Sequence, residues 1–302
     1  MEKPFILTCE STVDVTYAYM QARDIPVIFY NYLIDGKEYV DDMARDPQAL
    51  PRFYQMLADG AMPTTTQLNE FQYTAFFEEQ LQRQPGDILH INFGSGMTAS
   101  VGNAIKAAKA LEEQHPGRRI VVVDSLCSSS GYGLLVDGAA DLRDEGRSLD
   151  EIVAWLIETR GTIHHQFFAT DLKYFRRGGR VSGATAMVAT ILGICPLMRL
   201  DDKGKIIAYD KVRGKSAAIQ RTVKAMEEHA LGGHDYRGKC WISHSHCPED
   251  AERTRALIQE RFPHLDGEVR IWDIGTIIAS HTGPGTVAVF FYGDARAPYP
   301  EK

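Results

Sequence analysis

The sequence predicts an α/β protein of two units: an N-terminal parallel α/β/α unit over residues 1–160 and a C-terminal mixed or antiparallel α/β unit over residues 161–302. Three observations carry this. Asp87–Phe93 breaks at Gly94-Ser95-Gly96 and feeds a helical pattern, and Ile120–Asp124 breaks at Ser125–Gly131 and does the same. Two consecutive strand, small-polar-loop, helix units imply a parallel sheet. Past Gly161 the pattern changes to a hairpin and separated strands. Finally, 302 residues with 44% hydrophobic and 24% charged side chains suffice for one large or two modest cores and disfavour disorder, fibres and membrane spans.

The elements follow in order. Phe5–Thr8 reads as a strand, Val13–Arg23 as a helix, and Pro26–Leu33 as a second strand turned by Asp35-Gly36. A helix over Gln48–Asp59 closes at Gly60, and another starts near Asn69. The two repeated units supply strands 87–93 and 120–124, the first followed by a helix from Thr98 to about Glu113. Leu149–Thr159 is a helix capped by Ser148. Leu197–Leu200 and Ile206–Tyr209 form a hairpin about Asp201–Gly204. Later strands fall at 240–243, 269–274 and 287–292, with helices near 216–229 and 249–261.

Charge and composition exclude several functions. With 33 basic and 40 acidic side chains the net charge is −7, which argues against gripping phosphate backbones, so no nucleic acid is expected. Five scattered cysteines, mostly in apolar runs, read as reduced core thiols. No stretch approaches the ~20 apolar residues of a spanning helix, and the start of the chain lacks a basic stretch followed by a long apolar one. The expected address is the cytoplasm, with no stable membrane insertion.

In parallel sheets ligands collect at the carboxyl ends of strands, where the serine-rich loops sit. The hydroxyl clusters Thr64-Thr65-Thr66, Ser95 with Gly96-Met97-Thr98, and Ser125–Ser130 are the first candidates. The glycines beside Ser95 let a ligand approach the backbone, and the following helix offers amides and a positive dipole end to an anion. The competing reading is helix caps and tight turns. As a nucleophile Ser95 is disfavoured, since neither it nor Ser128–Ser130 has the glycine spacing of a nucleophile elbow or a base beside it. Arg176, Arg177 and Arg180 surround a glycine pair assumed flexible, an arrangement suited to carboxylate or phosphate, or to a solvated turn. His281 precedes Gly283-Pro284-Gly285, so a titratable group stands beside fixed backbone. His244, His246 and Cys247 resemble metal ligands only superficially, and no second cluster accompanies them, so no metal is expected. No Walker sequence occurs, and Gly131-Tyr132-Gly133 lacks the later glycine of a dinucleotide fingerprint.

Together these segments resemble the DegV family of two-domain bacterial proteins. The resemblance runs through Ser11-Thr12-Val13-Asp14, Pro63–Gln67, Gly94–Thr98, Asp124-Ser125 with Ser129-x-Gly131-x-Gly133, Arg177–Ser182 with Ile194-Cys195-Pro196, and His281–Gly285. It departs from the family pattern at Glu10, Leu68 and Gly94. The resemblance implies that a long-chain fatty acid is bound as ligand, with no cofactor, its carboxylate held at the domain junction and its tail in an apolar tunnel. Carried over by position, Thr65, Ser95 and His281 become the direct carboxylate partners, with Thr64, Thr66, Gly96, Met97, Ser129 and Thr282 around them. Arg180 is the better match for the family's arginine and Arg177 the second. The resemblance further implies presentation of the carboxylate to a separate ATP-dependent fatty acid kinase subunit for acyl phosphate formation. A serine-dependent hydrolase and a non-lipid anion-binding regulatory module remain the alternatives.

Overall fold

The structure is a computed structural model that describes residues 5–181 and 193–298. Ser182, part of one motif above, lies outside them.

A four-stranded parallel sheet, in the order β2-β1-β6-β7, is built from β1 (Ile6–Glu10), β2 (Val27–Ile28), β6 (Ile88–Asn92) and β7 (Ile120–Asp124). β1 and β6 are buried along their whole length, as central parallel strands covered on both faces must be. Helices α2 (Ala49–Ala58), α3 (Glu70–Arg83) and α4 (Ser100–Gln114) contribute to one apolar core; α5 (Ser129–Asp144) and α6 (Leu149–Thr159) pack into another. Capping boxes start α3 at Asn69 with Gln72 and α6 at Ser148 with Glu151.

Two expectations in the first forty residues need correction. The helix drawn over 13–23 is α1 (Tyr17–Ala22) alone, preceded by a 3₁₀ turn at Ser11–Val13. Between them Asp14 takes φ +46, and its carboxylate accepts a 2.9 Å bond from the Gly275 amide, so a distant partner overrides the local helical pattern. The single strand drawn over 26–33 is two. β2 joins the parallel sheet, whereas β3 (Asn31–Ile34) pairs with β4 (Lys37–Val40) and with β5 (Thr64–Thr66) in a separate antiparallel sheet. The Asp35-Gly36 turn is as expected, both residues having positive φ.

The remaining strands form a six-stranded mixed sheet in the order β10-β9-β8-β13-β11-β12. They are β8 (Ile163–Ala169), β9 (Ile194–Leu200), β10 (Ile206–Arg213), β11 (Cys240–His244), β12 (Arg270–Asp273) and β13 (Thr286–Tyr292), antiparallel except for β11 with β12. Helices α7 (Lys173–Gly178), α8 (Lys215–His229), α9 (Pro248–Arg261) and α10 (Thr276–Thr282), with a 3₁₀ turn at Gly233–Asp235, complete the described elements. Of the strands and α-helices, β4, β5, β8, α7 and α10 have no counterpart in the sequence reading.

Helix α5 lies against both sheets, and its glycines make that possible. A β-carbon on Gly131 would fall 2.4 Å from Nε2 of His165 on β8, and one on Gly133 would fall 2.7 Å from the Val13 carbonyl oxygen. These glycines are therefore packing positions. The core beside α5 is continuous from Leu7 and Ile91 through Leu134 to Phe167, Ala288 and Phe290. Each such large side chain gains about 1.5–3 kcal/mol on leaving water, so the two sheets are joined by apolar burial. The cysteines among the described residues are free, four of them buried.

Candidate functional site

A cavity of about 1010 Å³ opens where the loops after β6 and β7 face β8, β10 and β13. It stands at the upper end of the roughly 300–1,000 Å³ usual for small-molecule sites. Nine of the eleven residues expected from the sequence line it: Thr65, Thr66, Ser95, Gly96, Met97, Ser129, Arg180, His281 and Thr282.

The polar part is assembled from distant segments. Thr65 Oγ1 lies 2.8 Å from Nε2 of His281. His281 sits in the last turn of α10, and Gly283 and Gly285 follow with φ +65 and +84. A β-carbon at either would come within 2.1 Å of Tyr174 or Thr170, so this turn is fixed by packing as well as by proline. Burial, and then the Arg180 and Arg177 guanidiniums, push His281 down to about 4. The imidazole is neutral at pH 7, and its buried Nδ1 has no hydrogen-bond partner among the described residues.

Arg180 reaches over from the end of α7, its Nε donating to the Met97 carbonyl oxygen at 3.4 Å and one terminal nitrogen donating to the Gly178 carbonyl oxygen at 2.5 Å. This ties the arginine to the serine loop. The exposed hydroxyl of Ser95 is available to a ligand, but its backbone amide is not: it donates to Asp124 Oδ1 at 3.0 Å.

Several roles differ from those expected. Arg177 lies off the cavity and donates to the carbonyl oxygens of Met62 and Pro63, each at 2.7 Å, fixing the chain just before β5. Thr64, at the start of that strand, is exposed and also off the cavity. The glycine pair between the arginines is not a flexible linker, since Gly178 packs against His281 and Gly179 is the left-handed cap of α7. The glycines flanking Ser95 serve backbone packing: a β-carbon on Gly94 would meet the Cys127 carbonyl oxygen at 2.6 Å, and one on Gly96 the Gly204 carbonyl oxygen at 2.3 Å. The expected helix start at Thr98 lies instead just past a turn at residues 95–97, and α4 begins at Ser100. Ser100 is itself engaged, with Tyr30 donating to its hydroxyl at 3.0 Å.

The apolar side chains of the lining, and its lysines, were not signalled individually by the sequence. Tyr30, Phe93, Phe167, Ile206, Ile277 and Phe290 are among its apolar members. Lys203 and Lys205 reach it because the β9–β10 turn rests on Gly96 and Leu126. Only tertiary structure reveals that approach. His165 also faces the cavity and is held neutral, because burial and then the Arg296 guanidinium lower its basicity by more than its bonds to backbone at Ile163 and Ser128 raise it.

Three buried acids lie behind this surface. Glu10 accepts a 2.8 Å bond from the Phe93 amide and a short one from the Tyr73 hydroxyl. Asp14 accepts from Ser129 and from the Gly275 amide, while Asp41 accepts from the Thr276 hydroxyl at 2.8 Å. Burial raises both aspartates, Asp41 to about 6 and Asp14 well above its usual range. Ser129 thus points its hydroxyl at Asp14, although the residue lines the cavity. His244 and His246 do not converge on a common point: His246 stacks on Tyr54 at 4.7 Å, and His244 faces Asp273 at 3.5 Å.

This arrangement extends over nearly the whole chain, as does the similarity to known proteins. The sequence model of the DegV family, described as an uncharacterised protein family, matches residues 5–294. The chain belongs to the DegV family. A DegV domain-containing protein of Clostridium perfringens is 33% identical over 297 residues, covering 98% of this chain and 100% of that protein. Among solved structures, a DegV family protein of Thermus thermophilus described by its fatty acid binding is 26% identical, with TM-score 0.83 over 96% of this chain and 99% of that one. The DegV lipid binding protein of Thermotoga maritima shares the fold at 21% identity, with TM-score 0.82 over 97% and 99% of the two chains. These DegV structures have the same combination of a parallel-sheet domain and a mixed-sheet domain.

Proposed function

We propose that this DegV family chain is a cytoplasmic fatty-acid carrier. The carboxylate is held by Thr65, Ser95 and Arg180 beside His281, and the hydrocarbon lies along the apolar lining. One observation carries this reading: the 2.8 Å pairing of Thr65 with His281 opens into the same cavity that Phe167, Ile206, Ile277 and Phe290 line. Hydroxyl donors and a guanidinium suit a monoanionic carboxylate, and charge-assisted bonds at such a head group are roughly twice as strong as neutral ones. In the Nε2-protonated tautomer the neutral His281 donates to Thr65, which leaves the threonine hydroxyl proton to the ligand. A tail of ~15 methylenes contributes on the order of 12 kcal/mol before the costs of binding. Orientation therefore comes from the head and affinity from the tail. The fatty-acid-binding relative from Thermus thermophilus supports the ligand class.

The finer reading is that the bound carboxylate is presented to a separate ATP-dependent kinase subunit, which converts it to an acyl phosphate; the family resemblance supports it. Hydroxyls and cations that position the carboxylate would also stabilise charge as phosphate is added.

The test is mass spectrometry of an organic extract of protein purified from a bacterial host. A stoichiometric long-chain fatty acid is expected, and its loss in a Thr65→Ala/His281→Ala double variant that remains folded. A lipid-free extract, together with no uptake of added fatty acid, would overturn the reading. Ser95 hydrolysis is disfavoured by a specific geometry: its hydroxyl has no imidazole partner among the described residues, and Ser95→Ala is expected to alter lipid retention without any turnover of activated esters to lose.

A further inference from the structure

At the opposite end of β8 from Ala169, its second residue, the end of α8 and the segment leaving β13 meet. His164, His229 and Asp294 are brought together there. Nε2 of His164 lies 2.9 Å from Oδ1 of Asp294, and Nδ1 of His229 lies 3.2 Å from the same oxygen. One donor atom from each residue lies within 4.8 Å of the other two. The imidazole rings stack with centroids 4.9 Å apart, so two ring nitrogens stand side by side against one carboxylate. Ligand bonds of about 2.0–2.2 Å in tetrahedral geometry place donor atoms about 3.4 Å apart, close to the spacing already present around Asp294.

We propose that His164, His229 and Asp294 bind a divalent transition-metal ion of the zinc class, with solvent completing the coordination. Two imidazoles and a carboxylate suit Zn²⁺, Co²⁺ or Ni²⁺ better than the all-oxygen cations Ca²⁺ and Mg²⁺. The backbone holds the donors in place: the Asp294 amide donates to the His229 carbonyl oxygen at 3.0 Å and the Leu231 amide to that of Tyr292 at 3.1 Å. Gly293 is what lets the three approach. A β-carbon there would fall 2.3 Å from the His229 carbonyl oxygen and 2.7 Å from Cδ2 of His164.

A supporting contact exists as well. With metal on Nε2, Nδ1 of His164 carries the proton and needs an acceptor. The Gln166 side chain is 3.5 Å away, and turning its amide over presents oxygen to His164 and nitrogen to the Tyr209 hydroxyl, which lies 3.0 Å from Gln166. His164 is buried, whereas His229 and Asp294 open to solvent and give an ion its entry path.

Chelator-treated protein titrated with Co²⁺, followed by visible absorption and by calorimetry, tests this. Saturation at a single equivalent is expected, with the intense band of a tetrahedral site and displacement by Zn²⁺. His229→Ala and Asp294→Asn, both at solvent-accessible positions, should each weaken binding by more than about 100-fold, beyond what an outer-shell contact contributes. Absence of saturable binding by the wild-type protein would overturn the proposal. So would binding whose affinity and spectrum are unchanged in both variants.

Discussion

A β-carbon on Gly178 would sit 2.4 Å from Nδ1 of His281, so the end of α7 and the imidazole fill the same space to within an atom. The proposed carboxylate site depends on that contact, because the ring it crowds is the one paired with Thr65. Gly178→Ala is expected to displace the ring and weaken fatty-acid binding by roughly tenfold, the loss of about one hydrogen bond to a charged ligand. Fluorescent fatty-acid displacement, with circular dichroism to check folding, measures it. Unchanged affinity would separate His281 from the site.

The neutrality of His281 has a pH signature. Its basicity falls from the ordinary 6.5 to about 4 on folding, so between those values the unfolded chain binds the extra proton. Stability contributed through this residue is present above pH 6.5 and lost as pH falls toward 4, up to about 3 kcal/mol. His281→Gln should remove this dependence, seen as a difference between urea-unfolding curves of variant and wild type at pH 4.5 and 7.5. Nitrogen NMR should also show a neutral ring at pH 7 and a raised titration point once a carboxylate is bound.

Asp41 titrates with the opposite sign. Burial raises its carboxyl to about 6, and Oδ2 has no partner among the described residues. The favourable protonated form is fully populated below pH 4 and lost as pH rises through 6. Asp41→Asn keeps the acceptor for Thr276 and removes the charge. It is expected to stabilise the protein by about 1–3 kcal/mol at pH 8 and by little at pH 4, again by urea unfolding.

Arg177 makes a different prediction from Arg180. Arg177 lies off the cavity and bonds the Met62 and Pro63 carbonyl oxygens, which it holds beside β5, while its charge also helps keep His281 neutral. Arg177→Ala should loosen the threonine strand, weakening binding about tenfold for every chain length and exposing the strand's amides to faster hydrogen exchange. Arg180→Ala should weaken binding of the carboxylate but not of a matched fatty alcohol, which carries no charge for the guanidinium to meet.

The repeated units were legible because local signals agreed with the final packing. Ile120–Asp124 and Leu149–Thr159 have the bounds expected, one flanked by arginine and serine, the other started by a capping box. Where distant contacts decide, the sequence reading failed. Asp14 leaves the helical pattern to meet Gly275 and Ser129, and Pro26–Leu33 is one apolar run whose two ends join different sheets. β8 was hidden because His164, His165 and Gln166 are polar residues buried in mid-sheet. The site residues were recognisable by type and motif, but not their pairings: Thr65 and His281 are 216 residues apart. The His164, His229 and Asp294 cluster shows no spacing motif at all, since each residue comes from a separate element.

The seating of Gly204 on Gly96, backbone against backbone with no room for a methyl group, has an evolutionary reading. The serine loop and the β9–β10 turn meet there main chain to main chain. For the proposed carrier, side chains farther down the cavity could therefore be exchanged to suit shorter, branched or kinked hydrocarbons while the anchoring end stays where it is.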